Sequence, residues 1–139
     1  MIVDSSALIE ILNEEPLAPR CLEALLASPM TVMSAANLLE AAIVMDRHPS
    51  PVLGLALDDL IARLRVAVEP VTLSQVVIAR DAHRRFGRGS GHPAKLNFGD
   101  CFAYALAKEF DEPLLFVGQD FIHTDVRRVL NGGSEPGAP

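Results

Sequence analysis

Five carboxylates occupy positions in this 139-residue chain that suggest chemistry. Asp4 follows a short apolar run, Glu40 lies within an apolar stretch, Asp100 precedes a helix-like segment, and Asp120 and Asp125 follow another apolar run. Carboxylate oxygens are the ligands that hard divalent cations such as Mg²⁺ and Mn²⁺ prefer. Like charges that are brought together raise each other's pKa and repel, so a cluster of them persists mainly where a cation neutralises it. If these side chains converge, the sequence therefore predicts a metal site.

Purely structural roles are open to the carboxylates at the ends of strands. Asp4 could cap the following helix, a role worth about 1 kcal/mol. Ser5 or Ser6 could supply that cap instead, which would leave Asp4 available as a ligand. Asp120 and Asp125 could each cap a turn. Of these two we prefer Asp120 as the metal ligand.

Glu40 and Asp100 are the less ordinary positions. An unpaired carboxylate among apolar side chains is costly, and a metal would offset the cost at Glu40; the alternative is an exposed stripe that Glu40 shares with Asn37. Asp100 would be the third residue of a helix capped by Asn97, where negative charge suits the helix dipole. Gly99 weakens a helix, which suggests that a ligand or another backbone approaches closely there.

The elements that must position these residues alternate between short strands and helices. Strands are predicted at 2–4, 30–33, 66–71, 114–117 and 126–130, and helices at 7–12, 19–27, 35–47, 52–65, 74–86 and 98–110. This pattern is typical of a central, mostly parallel sheet flanked by helices, in which sites form at the carboxyl ends of the strands. We predict one α/β domain over residues 1–130, followed by a disordered Gly/Pro/Ser-rich tail over residues 131–139.

Composition narrows the class of protein. Half of the residues are hydrophobic, enough for the core of one compact domain. Cys21 and Cys101 have neither disulfide nor CxxC spacing and are expected to be buried as small hydrophobic residues in a reducing cytosol. His83, His92 and His123 lack zinc-ligand spacing. No stretch has the length of a membrane span or the pattern of a secretory signal, so we expect a cytoplasmic protein without a membrane partner.

Basic charge is concentrated in one segment of a chain whose net charge is −6. Arg84, Arg85, Arg88 and Lys95 lie between two aspartates, just before the candidate ligand Asp100. They are candidates for binding substrate phosphates. The alternative is a solvated helix face that pairs with Asp81 or with other acids.

Four stretches together resemble a PIN domain, and in particular the VapC toxins of bacterial type II toxin–antitoxin modules. They are residues 2–8, Ser34 with Glu40 on its helix, residues 96–107, and residues 113–121 with Thr124-Asp125. The resemblance covers about residues 1–130. The sequence Gly118-Gln119-Asp120 departs from the commoner Thr-x-Asp or Thr-x-Asn form.

The resemblance implies a single PIN-like domain whose carboxylates bind Mg²⁺ or Mn²⁺ and which hydrolyses phosphodiester bonds in RNA. It assigns Asp4 and Asp100 as metal ligands, Glu40 as the helix glutamate, and Asp120 as the fourth acidic residue, with Asp125 as its rival. It also implies a homodimer that is neutralised by a VapB-type antitoxin. Leucines at 22, 25, 26, 38 and 39 exceed what a thin sheet must cover, so some of them could face a partner.

Three other functions fit parts of the pattern. In a non-catalytic module for RNA or protein binding the acids would serve as caps. A metal-dependent nuclease could act on DNA, because a metal–carboxylate site does not itself select the sugar. A phosphoacceptor receiver domain ranks last, because it would need adjacent acids after the first strand and a lysine after a late strand.

Overall fold

The computed structural model describes residues 1–131, which form a four-stranded parallel sheet flanked by six helices. Most of the predicted tail, residues 132–139, lies outside the described residues. The elements in chain order are β1 (Ile2–Val3), α1 (Ser5–Leu12), α2 (Ala18–Ala27), β2 (Val32–Ser34), α3 (Ala35–Asp46), α4 (Val52–Arg63), β3 (Ala67–Glu69), α5 (Leu73–Phe86), α6 (Phe98–Glu109) and β4 (Leu114–Leu115). The predicted α/β class with a parallel sheet is confirmed.

The strands lie in the order β3-β2-β1-β4. Ile2 pairs with Val32 on one side and with Leu114 on the other. β1 is therefore central, and the chain that follows it emerges between the chains that follow β2 and β4. Because all strands are parallel, their carboxyl ends share one edge of the sheet.

Alternating side chains divide the core into two layers. Ile2 and Leu114 pack in a cluster with residues of α5 and α6, whereas Val3 and Leu115 pack on the opposite face with residues of α1 to α4. This alternation is the period of two that a strand imposes on its side chains. Cys21 and Cys101 are buried as free thiols, as predicted.

The element boundaries differ from the predicted ones by a few residues, with one larger departure. Residues 126–130 do not form a regular strand and contribute only an isolated parallel bridge between Leu114 and Arg128. A backbone hydrogen bond on each side of that bridge, from Leu114 N to Arg127 O and from Val129 N to Leu114 O, holds this segment to the sheet. Within residues 1–131, no helix is long and apolar enough to cross a lipid bilayer.

Candidate metal centre

The four candidate ligands lie at the carboxyl edge of the sheet. Asp4 follows β1, Glu40 lies on the helix that begins directly after β2, and Asp120 follows β4. Asp100 is in the first turn of α6, which packs against β1 and β2. The charges of Asp4, Asp120 and Glu40 each act on the carboxyl of Asp100. The fold thus brings together four side chains that are far apart in sequence.

Asp4 caps α1 with one carboxylate oxygen and leaves the other without a partner in residues 1–131. Its Oδ2 accepts hydrogen bonds from the backbone N–H of Ser6 at 3.0 Å and from the Ser6 hydroxyl at 2.6 Å. Its Oδ1 is buried and has no hydrogen-bond partner among residues 1–131. The pKa of Asp4 is raised to about 6, chiefly by burial and to a smaller extent by the charge of Glu40, against the lowering effect of the Ser6 hydrogen bonds. Capping and ligation were alternatives in the sequence, but the two oxygens allow both.

Glu40 is held by polar contacts and does not lie on an exposed stripe. The Ser5 hydroxyl donates to its Oε1. Asn37, which the stripe would expose, is fully buried. Its amide nitrogen donates to the carbonyl of Gly99 at 2.9 Å and makes a longer contact of 3.4 Å with Glu40 Oε1.

Gly99 makes room for that carboxylate. A Cβ atom built on Gly99 would lie 2.8 Å from Cδ of Glu40, inside van der Waals contact. The close approach that the glycine suggested is therefore made by a side chain of the site itself.

Asp100 forms a capping box with Asn97. The backbone N–H of Asp100 donates to Asn97 Oδ1 at 2.9 Å, and that of Asn97 donates to Asp100 Oδ2 at 2.8 Å. The pKa of Asp100 is raised to about 7, chiefly by burial and also by the nearby charges of Asp4, Asp120 and Glu40, whereas the Asn97 hydrogen bond opposes the rise. A cation that replaced the proton of this carboxyl would stabilise its ionised form.

Two adjacent serines connect the carboxylates, a role that sequence reasoning missed. Ser5 donates to Glu40, whereas Ser6 donates to Asp4 and accepts a hydrogen bond from the backbone N–H of Val117 at 3.0 Å. These contacts join the segments after β1, β2 and β4. The Ser-Ser pair beside Asp4 was the available signal, because neither hydroxyl is needed as a cap once Asp4 fills that place.

Asp125 belongs to a different network. Its carboxylate accepts a hydrogen bond of 2.7 Å from the buried Tyr104 hydroxyl and pairs with Lys108 at 3.0 Å. Burial alone would raise the pKa of Asp125, but these contacts outweigh it and the pKa lies below its ordinary value. The charge of Asp120 acts on Asp100, whereas the carboxylate of Asp125 is engaged by Tyr104 and Lys108.

The predicted substrate-binding residues divide into two kinds. Arg85 has partners within the protein: Nε lies 2.9 Å from Asp81, a terminal nitrogen donates to the Tyr104 hydroxyl at 3.0 Å, and the guanidinium lies 4.7 Å from the centroid of the Phe86 ring. The pairing with Asp81 was the structural alternative. The other three predicted residues, Arg84, Arg88 and Lys95, are exposed and form no ion pair within residues 1–131.

The donor set suits a hard divalent cation, but it is not assembled into a cage. Within the described part of the chain, no group of three or more Asp, Glu, His or Cys side chains is arranged so that it could hold a metal ion. The carboxylates nevertheless influence one another electrostatically, and Asp4 Oδ1 is buried without a partner in residues 1–131. All-oxygen ligands are the chemistry of Mg²⁺ and Mn²⁺, and binding would require these side chains to draw closer together.

Comparison with protein families gives a match to the PIN domain over residues 1–127. Ribonuclease VapC28 of Mycobacterium tuberculosis is 52% identical over 131 residues, which cover 94% of this chain and 98% of that protein. Ribonuclease VapC42 of the same species is 46% identical over 127 residues, covering 91% and 97%.

Two solved structures share the fold at low sequence identity. The sarcin-ricin loop cleaving toxin VapC20 of Mycobacterium tuberculosis has a TM-score of 0.75 at 17% identity, covering 92% of this chain and 97% of that chain. A toxin–antitoxin complex from Klebsiella pneumoniae contains a chain with a TM-score of 0.69 at 14% identity, covering 89% and 92%. The family match and the sequence relatives show the family of this chain, whereas the two solved structures show only that the fold is shared.

Proposed function

Because this chain belongs to the PIN-domain family of VapC toxin ribonucleases, we propose that it is the toxin of a type II toxin–antitoxin module. Its activity is that of an endoribonuclease that hydrolyses RNA phosphodiester bonds with Mg²⁺ or Mn²⁺. The observation that carries the metal dependence is the buried Oδ1 of Asp4, which has no partner in residues 1–131. Asp4 belongs to a site in which its own charge and those of Glu40 and Asp120 act on Asp100.

The cation would be held by Asp4, Asp100, Glu40 and Asp120. When bound, a divalent ion polarises a phosphate oxygen and lowers the pKa of a water molecule, and it offsets the repulsion between RNA phosphate and the carboxylates. Ser5 and Ser6 donate hydrogen bonds to Glu40 and Asp4 and so orient these two carboxylates, which would move closer to the others when the cation binds. Glu40 or Asp120 would orient the water that attacks phosphorus in line with the departing oxygen.

Exposed cations next to α6 would hold the flanking RNA. Arg84, Arg88 and Lys95 are free of ion pairs within residues 1–131 and lie just before the helix that carries Asp100. Phosphate binding by such residues is electrostatic and sensitive to salt. The contacts that Arg85 makes with Asp81 and Tyr104 suit it better to shaping this surface.

We further propose a VapB-type antitoxin and a second copy of the chain as partners. Toxin–antitoxin context comes with the family, and a toxin–antitoxin complex is among the structural neighbours. Leu26 and Leu39 are 69% and 61% exposed, so they offer apolar surface that a partner could cover. Leu25, by contrast, is buried in the core.

The decisive experiment is cleavage of a cellular RNA pool by the purified protein with Mg²⁺, with a chelator, and by Asp100→Asn with Mg²⁺. We expect cleavage only in the first condition and in a control variant, Asp58→Asn, which changes an exposed helix carboxylate. Equal results in all conditions, with folding verified by circular dichroism, would instead support a binding module. Matched RNA and DNA strands, tested side by side, separate a ribonuclease from a DNA-directed nuclease.

A further inference from the structure

A shallow cavity of about 210 Å³ opens beside the carboxyl end of β4. Its apolar floor includes Phe116 and Ile122, and Gln119 lines it next to the candidate ligand Asp120. Two arginines, Arg20 from α2 and Arg128 from the segment that bridges to β4, also line it. The cavity is lined neither by the four candidate metal ligands nor by the basic segment before α6.

Within residues 1–131, the two guanidinium groups are not neutralised by acids. Neither Arg20 nor Arg128 forms an ion pair within residues 1–131, although the chain carries a net charge of −6. Arg128 donates to the carbonyl of Ile122 at 2.7 Å, and Arg20 makes a longer contact of 3.4 Å with the carbonyl of Asn131. A guanidinium has five N–H donors in a planar fork that matches a phosphate, so both retain donors for an anion.

The apolar side chains that line the cavity suit the base of a nucleotide. Phe116 is buried and packs against Phe121 with ring centroids 5.0 Å apart, so it presents an aromatic ring that the core supports. Proteins that bind single-stranded nucleic acid combine a cationic track for the backbone with apolar or aromatic surfaces for the bases. The amide of Gln119 adds both a donor and an acceptor for the edge of a base.

Resting on the proposed ribonuclease function, we propose that this cavity binds one nucleotide of the RNA next to the bond that is cut. Arg20 and Arg128 receive its phosphate, the apolar floor receives its base, and Gln119 contacts the base edge. Gln119 directly precedes the candidate ligand Asp120 in the chain, so the cavity and the carboxylates share the segment that follows β4. The cavity thus extends the substrate path along the β4 edge of the sheet.

The test measures RNA binding separately from cleavage. A single-stranded RNA oligonucleotide is titrated by fluorescence anisotropy into Asp100→Asn, with and without Arg20→Glu, over a series of salt concentrations. We expect Arg20→Glu to weaken binding by about tenfold, as for loss of a charge-assisted contact, and to lower the slope of log K against log salt by about 0.7 per lost phosphate contact. Arg47→Glu is the matched control, because Arg47 is exposed at the far end of α3 and has no ion pair in the described residues.

Cleavage by otherwise native protein provides the second readout. Arg20→Glu is expected to raise KM with kcat nearly unchanged, whereas a folding defect would lower active concentration and the melting temperature. Arg128→Lys, which keeps the charge but loses the planar fork, should show a smaller effect of the same kind. If native protein cuts RNA and Arg20→Glu matches the control in affinity, slope and KM, the inference is wrong while the proposed function stands.

Two other results would also overturn the assignment. If the native chain neither cuts nor binds RNA, the subsite and the proposed function both fail. If Arg20→Glu abolishes binding of a synthetic acidic peptide but leaves RNA affinity unchanged, the cavity belongs to a protein partner.

Discussion

The carboxylate of Glu40 packs directly against the backbone of Gly99: the position that a Cβ atom would take on Gly99 lies 2.8 Å from Cδ of Glu40. Gly99 precedes Asp100, and its carbonyl accepts a hydrogen bond from Asn37, which also contacts Glu40. The absence of a side chain at one residue thus lets the helix glutamate of α3 approach the first turn of α6.

Gly99→Ala should therefore displace Glu40 while leaving the fold intact. Alanine is favoured over glycine in a helix by up to about 1 kcal/mol, so α6 should still form. Misplacement of a catalytic group by about 1 Å can cost up to about 100-fold in rate, and we expect RNA cleavage to fall by at least about tenfold. Initial rates and a thermal melt on the same samples check this.

Gly54→Ala is the matched control for that substitution. A Cβ on Gly54 would also meet a carboxylate, that of the exposed Asp46, which can swing into solvent. Its cleavage rate should equal that of the native chain. A Gly99→Ala protein that is as active as this control would show that Glu40 can move without consequence.

The pKa of Asp100 predicts how stability of the metal-free protein depends on pH. Its folded-state pKa is raised to about 7, so between about pH 4 and pH 7 the folded chain holds a proton that the unfolded chain has released. The free energy of unfolding therefore falls as pH rises through this window. Asp4, with a pKa raised to about 6, acts in the same direction.

Asp100→Asn should remove part of that dependence. Without metal at pH 7.5, we expect the variant to be more stable than the native chain by on the order of 2 kcal/mol, with the difference vanishing near pH 4. Asparagine can still accept the capping hydrogen bond from Asn97. Urea unfolding in the presence of a chelator measures both proteins, and parallel curves from pH 4 to pH 8 would contradict the assignment.

Divalent cations should stabilise the native chain by binding its folded state. At a free concentration 100 times the dissociation constant, binding adds about 2.7 kcal/mol to the free energy of unfolding. Mg²⁺ or Mn²⁺ should therefore raise the melting temperature in a concentration-dependent way. Asp4→Asn, which can still cap α1, should melt at or above the temperature of the native chain without metal and lose this response; an equal metal-induced shift in both proteins would exclude Asp4 as a ligand.

The sheet and the approximate helices were predictable because their signal is local. Apolar runs such as Ile2-Val3 identify buried strands, and Ser34, Thr72 and Asn97 each cap the helix that follows them. The segment 126–130 was predicted as a strand from its composition, yet it pairs with the sheet through one isolated bridge. The composition of a segment gives its tendency to form a strand, whereas the number of residues that pair with the sheet depends on the neighbouring elements.

The positions of the candidate ligands were partly predictable, but the contacts that hold them were not. Parallel strands imply that Asp4 and Asp120 share an edge of the sheet. The burial of Asn37 and the bond from Ser5 to Glu40 depend on how α1, α3 and α6 pack, which involves residues distant in sequence. A periodicity argument could not tell whether Glu40 faces water or the site.

Asp120 and Asp125 should respond differently to the same substitution. Asp120→Asn removes a carboxylate that acts on Asp100, so cleavage should fall by at least about tenfold with little loss of stability. Asp125→Asn weakens the pair with Lys108 near Tyr104 and should cost about 1 kcal/mol of stability while cleavage stays within about twofold. The cleavage rate and the melting temperature of each variant distinguish the two residues. A loss of cleavage in Asp125→Asn but not in Asp120→Asn would make Asp125 the fourth acidic residue.

Arg84 and Arg85 are adjacent in sequence, but substitution of Arg84 should mainly affect RNA binding, whereas substitution of Arg85 should mainly affect stability. Arg84 is exposed without an ion pair in the described residues, so Arg84→Ala should lower RNA affinity and reduce the salt slope by about 0.7. Arg85 contacts Asp81 and Tyr104, so Arg85→Ala should mainly lower stability, by about 0.5 to 1.5 kcal/mol. Anisotropy titrations and urea unfolding of both variants provide the comparison. An unchanged slope in a variant that combines Arg84→Ala with Arg85→Ala would remove both residues from the RNA interface.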